Sequence, residues 1–122
     1  MTSYQRGLKA EEMAAWFLRS RGYKILQRRY KTPVGEVDLI AQRGGCIVFV
    51  EVKARGAMDD ALYAVQPKQA ARVMRAGEYY MTHHKLTGRD MRFDVIAVRP
   101  PQHWTGWVRW GRVFIHIKGA FL

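Results

Sequence analysis

Apolar residues recur at two different periods along this chain, and the changes of period mark its elements. From about Tyr4 to Ser20 the period is helical: Ala10, Met13, Ala14, Phe17 and Leu18 fall on one face, and Glu12, Trp16 and Arg19 on the other. Thr2 or Ser3 suits the N-cap and Gly22 the position just past the helix end. A strand is predicted over about Tyr23 to Tyr30, with Arg28, Arg29 and Lys31 facing solvent or phosphate, and Pro33 and Gly35 turn the chain. Two runs follow around Gly44-Gly45: Glu36 to Ala41 and Ile47 to Lys53, both rich in β-branched and aliphatic residues, as in a hairpin. Asp59 and Asp60 suit the cap of a short helix through Val65. A longer helix starts at Pro67 and ends near His83, with Ala70, Val73, Met74, Gly77 and Met81 toward the core. Met91 to Val98 reads as a strand stopped by Pro100-Pro101, and the tail from Trp104 to Leu122 as a last strand or hairpin whose aromatics either cover the sheet or, beside Arg109 and Arg112, stack on bases. A helical crossover permits parallel pairing of the strands on either side of it. A mixed α/β sheet flanked by helices is therefore expected.

The hairpin carries acids where a core strand should be apolar. A two-residue turn at Gly44-Gly45 pairs Arg43 with Cys46. On that register Asp38 falls opposite Glu51, and Glu36 opposite Lys53. Side chains alternate along a strand, so Phe49, Glu51 and Lys53 share a face with Asp38 and Ile40. At roughly 5 Å and an effective dielectric of about 20, the repulsion of two facing carboxylates is on the order of 3 kcal/mol. Lys53 or a divalent cation must offset it. The residues therefore suit either a structural salt-bridge cluster or metal-assisted phosphodiester hydrolysis. In the second case Asp38 and Glu51 hold Mg²⁺ or Mn²⁺ as hard oxygen ligands, the Val52 carbonyl adds a ligand, and Lys53 stabilises charge at phosphorus.

Charge sharpens the picture. The 122 residues hold 21 Lys and Arg against 10 Asp and Glu, a formal net charge of +11. That excess calls for a polyanionic partner, nucleic acid before an anionic membrane. Lys68, Arg72 and Arg75 form a stripe on the longer helix, which is either a solvated face or a track for phosphates. Glu11 reads either as an acid favoured by the helix dipole or as a site residue. The lone Cys46 excludes an internal disulfide, and no apolar leader or membrane span is visible, so one cytoplasmic domain over residues 1–122 is expected. The histidines lack zinc-ligand spacing with Cys46.

Gly35-Glu36-Val37-Asp38-Leu39-Ile40-Ala41, Val48-Phe49-Val50-Glu51-Val52-Lys53-Ala54-Arg55 and Arg92-Phe93-Asp94-Val95 resemble the YraN family of small bacterial proteins. Ala10-Glu11-Glu12-Met13-Ala14 with Gly22-Tyr23, Ala64-Val65 with Lys68, and His116-Ile117 with Ala120-Phe121 extend the likeness over most of the chain. That family in turn resembles the PD-(D/E)XK nucleases, especially the archaeal Holliday-junction resolvases, although Val37 stands where the superfamily motif has proline. The resemblance implies a restriction-endonuclease-like αβββαβ core, metal ligands at Asp38 and Glu51, a catalytic lysine at Lys53 and a further metal-site glutamate at Glu11. It also implies a Mg²⁺- or Mn²⁺-dependent endonuclease acting on DNA, with branched or single-stranded DNA as candidate substrates and repair or recombination as the setting. Lys68, Arg72, Arg75 and Arg55 are the expected nucleic-acid contacts. The resolvases act as dimers, so a homodimer is among the expectations. Two other classes stay open: a nucleic-acid-binding protein that keeps the fold without turnover, and a small RNA- or ribosome-associated domain.

Overall fold

A computed structural model of the chain describes residues 2–54, 66–99 and 113–120. The elements are α1 (Ser3–Ser20), β1 (Lys24–Thr32), β2 (Gly35–Arg43), β3 (Cys46–Ala54), α2 (Pro67–His83), β4 (Asp90–Val98) and β5 (Phe114–Ile117). They build one five-stranded sheet in the order β1-β2-β3-β4-β5. The β3–β4 pair is parallel, and the other pairs are antiparallel. Helix α2 lies in the crossover that joins the two parallel strands. This is the mixed α/β architecture expected from the sequence. The short helix expected before Val65, and the stretch of the tail holding Trp104, Trp107 and Trp110, fall outside the described residues.

Helix α1 begins with a reciprocal cap: Thr2 Oγ1 accepts from Gln5 N–H, and Gln5 Oε1 accepts from Thr2 N–H. Its small buried residues Ala10, Ala14 and Ala15, with Leu18, let it lie close on the sheet face formed by Leu39, Ala41, Val48, Val50 and Val52. Helix α2 covers the opposite face. Val73, Ala76, Tyr80 and Met81 pack there on Val37, Ile40, Ile47 and Phe49. The sheet is thus buried on both sides in its middle, and β2 and β3 are the strands that both helices grip.

The hairpin register is as derived over five pairs, from Arg43↔Cys46 to Leu39↔Val50. There the ladder stops, one position short of the acids. The expected pairing of Glu36 with Lys53 is not in the ladder, and on the other edge of β2 Glu36 lies opposite Lys31 of β1. The turn into β2 also differs from expectation. Pro33 and Val34 make it, while Gly35 is already in the strand and Thr32 Oγ1 accepts from the N–H groups of Val34 and Gly35. Gly35 is required for a different reason: a Cβ there would sit 2.0 Å from the Arg72 carbonyl oxygen. This backbone-to-backbone approach seats α2 directly beside the β1–β2 turn.

Candidate active site

Where the β2–β3 ladder lapses, a side chain takes over from the backbone. Asp38 Oδ2 accepts the Val52 N–H at 2.8 Å. A strand residue's N–H and C=O leave along the same edge, so the Val52 carbonyl also leaves toward β2. Glu51, only 6% exposed, lies close enough to Asp38 for the two carboxyls to act on each other. The acids therefore meet without being strict cross-strand partners.

Behind them stands a residue that the sequence reading passed over. Gln69, on the first turn of α2, donates through Nε2 to Glu51 Oε1 at 2.9 Å and accepts at Oε1 from Lys53 Nζ at 2.9 Å. Lys53 Nζ also lies 3.7 Å from Glu51 Oε1. Gln69 thus ties acid to lysine and fixes the Lys53 ammonium beside the carboxylate. Its position four residues before Val73, on the edge of the buried face, was the available signal; a half-buried amide there needs polar partners.

Glu11 reaches the same corner from α1. It feels the charge of Asp38 and lies 3.9 Å from Arg29 Nε. Arg29 is in turn held by the Tyr4 hydroxyl at 3.2 Å. Burial, then the charge of Asp38, pushes Glu11 up to about 7. Burial, then the same neighbour, pushes Glu51 up to about 8. Asp38 is raised chiefly by burial, against the pull of the Val52 N–H. The acids crowd one another, and burial together with their mutual charge favours the protonated forms of Glu51 and Glu11. Among the described residues, no three His, Cys, Asp or Glu side chains are grouped as a ready-made metal cage. The arrangement is a carboxyl pair with Glu11 flanking it. This donor set suits a hard divalent cation: like-charged oxygens share a small space that a positive ion would relieve.

Lys68, Arg72 and Arg75 are exposed, and with Pro33, Val34 and Gly35 they line a concavity of about 430 Å³. The close seating of α2 on Gly35 creates it. Arg55 lies outside the described residues.

A second polar cluster was not singled out as a centre. Asp94, fully buried, accepts from Arg92 Nε at 2.8 Å and Nη2 at 2.9 Å, from His116 Nε2 at 2.6 Å and from Gly119 N–H at 3.1 Å. Arg92 also donates to the Tyr23 hydroxyl at 2.9 Å. An acid among the apolar alternation of β4 was its mark in the sequence.

An αβββαβ core with one further strand defines an open α/β protein of the restriction-endonuclease-like type. The chain belongs to the family described as "Uncharacterised protein family UPF0102", whose model matches residues 10–98. This is the YraN family that the sequence motifs resemble. The UPF0102 protein RPA0323 of Rhodopseudomonas palustris strain CGA009 is 46% identical over 110 residues, covering 87% of this chain and 85% of its own. A UPF0102 protein of the BisA53 strain is 42% identical over 107 residues, 84% of this chain and 82% of its own. One from Bradyrhizobium sp. strain ORS 278 is 45% identical over 107 residues, 84% of this chain and 76% of its own. No described helix is long and apolar enough to cross a membrane.

Proposed function

We propose that this protein is a divalent-metal-dependent nuclease that hydrolyses phosphodiester bonds in DNA. The observation that carries this reading is the Asp38–Glu51 carboxyl pair with the Lys53 ammonium fixed beside it by Gln69. Asp38 and Glu51 would hold Mg²⁺ or Mn²⁺, with Glu11 and the Val52 carbonyl as additional oxygen donors. When bound, such an ion supplies a polarised phosphoryl oxygen and a water of lowered pKa. The chain's own residues do the rest. Lys53, held against Glu51, presents positive charge to the oxygens that gain charge as the bond breaks. Lys68, Arg72 and Arg75 engage the phosphate backbone, which contributes affinity without choice of sequence. Branched or single-stranded DNA and a homodimeric assembly belong to this reading through the resolvase resemblance.

The test is cleavage of labelled duplex, flap, junction and single-strand DNA with Mg²⁺, Mn²⁺ or chelator, with Asp38→Asn as control. Metal-dependent cleavage by the native protein and its loss in the variant support the nuclease. Salt-dependent binding without cleavage under any divalent ion would instead identify a binding protein that keeps the fold, and preference for RNA would identify the ribosome- or RNA-associated class.

Gln69→Ala separates positioning from binding. The amide touches Glu51 and Lys53 and belongs to the site's supporting layer, so kcat is expected to fall about 10- to 100-fold. KM for DNA should stay within about twofold, because the Lys68–Arg72–Arg75 stripe is intact. Steady-state kinetics on the best substrate of the panel measures both.

A further inference from the structure

A second concavity, of about 400 Å³, lies on the α1 side of the sheet, where the end of α1, the end of β2 and β5 meet. Its rim holds three exposed cations, Arg21, Arg43 and Lys118. Two stand over aromatic rings: the Arg21 guanidinium is 5.0 Å from the centre of the Phe17 ring, and that of Arg43 is 5.4 Å from the centre of the Tyr23 ring. Phe17 is stacked against Phe114 at 4.5 Å, so the rings are already engaged as supports for the cations. His116 lines the same space. Its Nε2–H is given to Asp94, and among the described residues its Nδ1 has no hydrogen-bond partner and is not sealed from solvent. The charge of Asp94 is itself matched by Arg92, so it does not oppose an incoming anion.

Preformed guanidinium forks on fixed rings and an ammonium around one hollow are groups that bind a tetrahedral oxyanion, with the His116 ring as part of the wall. We propose that this hollow is a second phosphate-binding site, taking a phosphate of a nucleic-acid strand at a distance from the acid pair. The assignment of the phosphate to a strand rests on the nucleic-acid reading above; the pocket chemistry does not. Ten residues of α1 separate Glu11 from Arg21, which is about 15 Å at 1.5 Å per residue. Five residues of β2 separate Asp38 from Arg43, about 17 Å. Measured along these two elements, the hollow lies on the order of 15 Å from the acids, more than one phosphate away on a bound strand whose phosphates rise about 3.4 Å per nucleotide along a duplex axis. It would therefore fix the register of a bound strand relative to the bond at the acid pair.

The experiment follows the His116 ring by ¹⁵N NMR in chelator, where cleavage does not occur. Probes are inorganic phosphate and the same single-stranded oligonucleotide with a 5′-phosphate or a 5′-hydroxyl. A saturable shift of the ring with the oligonucleotides is expected. A larger shift with the 5′-phosphate marks a strand end as the source, and equal shifts mark an internal phosphodiester. The Arg21→Gln, Arg43→Gln double variant keeps both aliphatic stems and should melt like the native protein. Its affinity should fall about tenfold, and the slope of log affinity against log salt should flatten by about 0.7 per phosphate released. A His116 ring unmoved by every probe, or a double variant with native affinity and slope, overturns the site. A response to inorganic phosphate alone overturns its assignment to a strand. Because metal is absent throughout, failure of the nuclease reading leaves these outcomes intact.

Discussion

Glu51→Gln is expected to reduce divalent-dependent cleavage by about 10³-fold or more while making the metal-free protein more stable at pH 8. The two effects share one cause. Glu51 is buried against Asp38, and the cost of ionising it there is what a bound cation would offset. Glutamine keeps the shape, and its amide can donate to Asp38 as a protonated Glu51 would, but it brings no charge for a cation. A residue whose removal stabilises the fold and silences the reaction is one retained for chemistry.

The pH dependence follows from the same shift. Glu51 is raised by burial, then by Asp38, from its ordinary 4.5 to about 8. Between those values the unfolded chain has released the proton and the folded chain still holds it. Raising the pH then favours the unfolded state, so metal-free stability declines from about pH 4.5 to pH 8 and flattens above. Glu11, raised to about 7, adds a component that ends earlier. Urea unfolding at pH 5, 7 and 9, in chelator and in Mg²⁺, measures this. The native protein should lose stability across the series in chelator and much less in Mg²⁺. The Glu51→Gln variant should show a flatter profile that Mg²⁺ leaves unchanged. A variant that kept the native slope, or cleaved at the native rate, would sink the carboxyl-pair account.

How far the sequence reached is clearest at the hairpin. Gly44 takes φ +58, and with Gly45 it makes the two-residue turn that fixes five pairs in register. Alternation then assigned the faces. It could not foresee that the ladder would stop at Leu39–Val50, because that stop depends on Asp38 bonding the Val52 N–H. Helix α2 was legible to its bounds, since Pro67 and the 3.6-residue period mark both ends. Gln69 escaped because the helical pattern separates apolar from charged positions, and a neutral amide at the helix edge is neither. The Asp94 cluster escaped for a longer-range reason. Its partners lie at positions 23, 92, 116 and 119, and only the folded sheet draws them together.

Asp94→Ala is expected to cost about 3–5 kcal/mol, the range for removing one partner of a buried ion pair. Three donors depend on this one carboxylate: the Arg92 guanidinium, the His116 ring and the Gly119 N–H. Burial by itself would push Asp94 up, but the bonds from His116, Arg92 and Gly119 outweigh it and hold it below the ordinary carboxylate range. The sign is therefore opposite to that of Glu51. The stabilisation is complete above the unfolded value, about 3.9, and disappears as pH falls through the folded one. The native protein should lose stability on the acid side through Asp94 and on the alkaline side, without metal, through Glu51. Asp94→Ala removes the first limb, and Glu51→Gln removes the Glu51 part of the second and leaves that of Glu11. Asp94→Asn should fall between Ala and native, since its NH₂ must face a donor where an oxygen accepted before. Combining Asp94→Leu with Arg92→Met relieves the stranded guanidinium and should recover part of the loss. It does not recover all, because Gly119 N–H and His116 stay without an acceptor. Urea midpoints for the single and double variants at pH 3.5, 5 and 7 separate these contributions. An Asp94→Ala variant within about 1 kcal/mol of native at pH 7 would show that the cluster is far weaker than a buried ion pair.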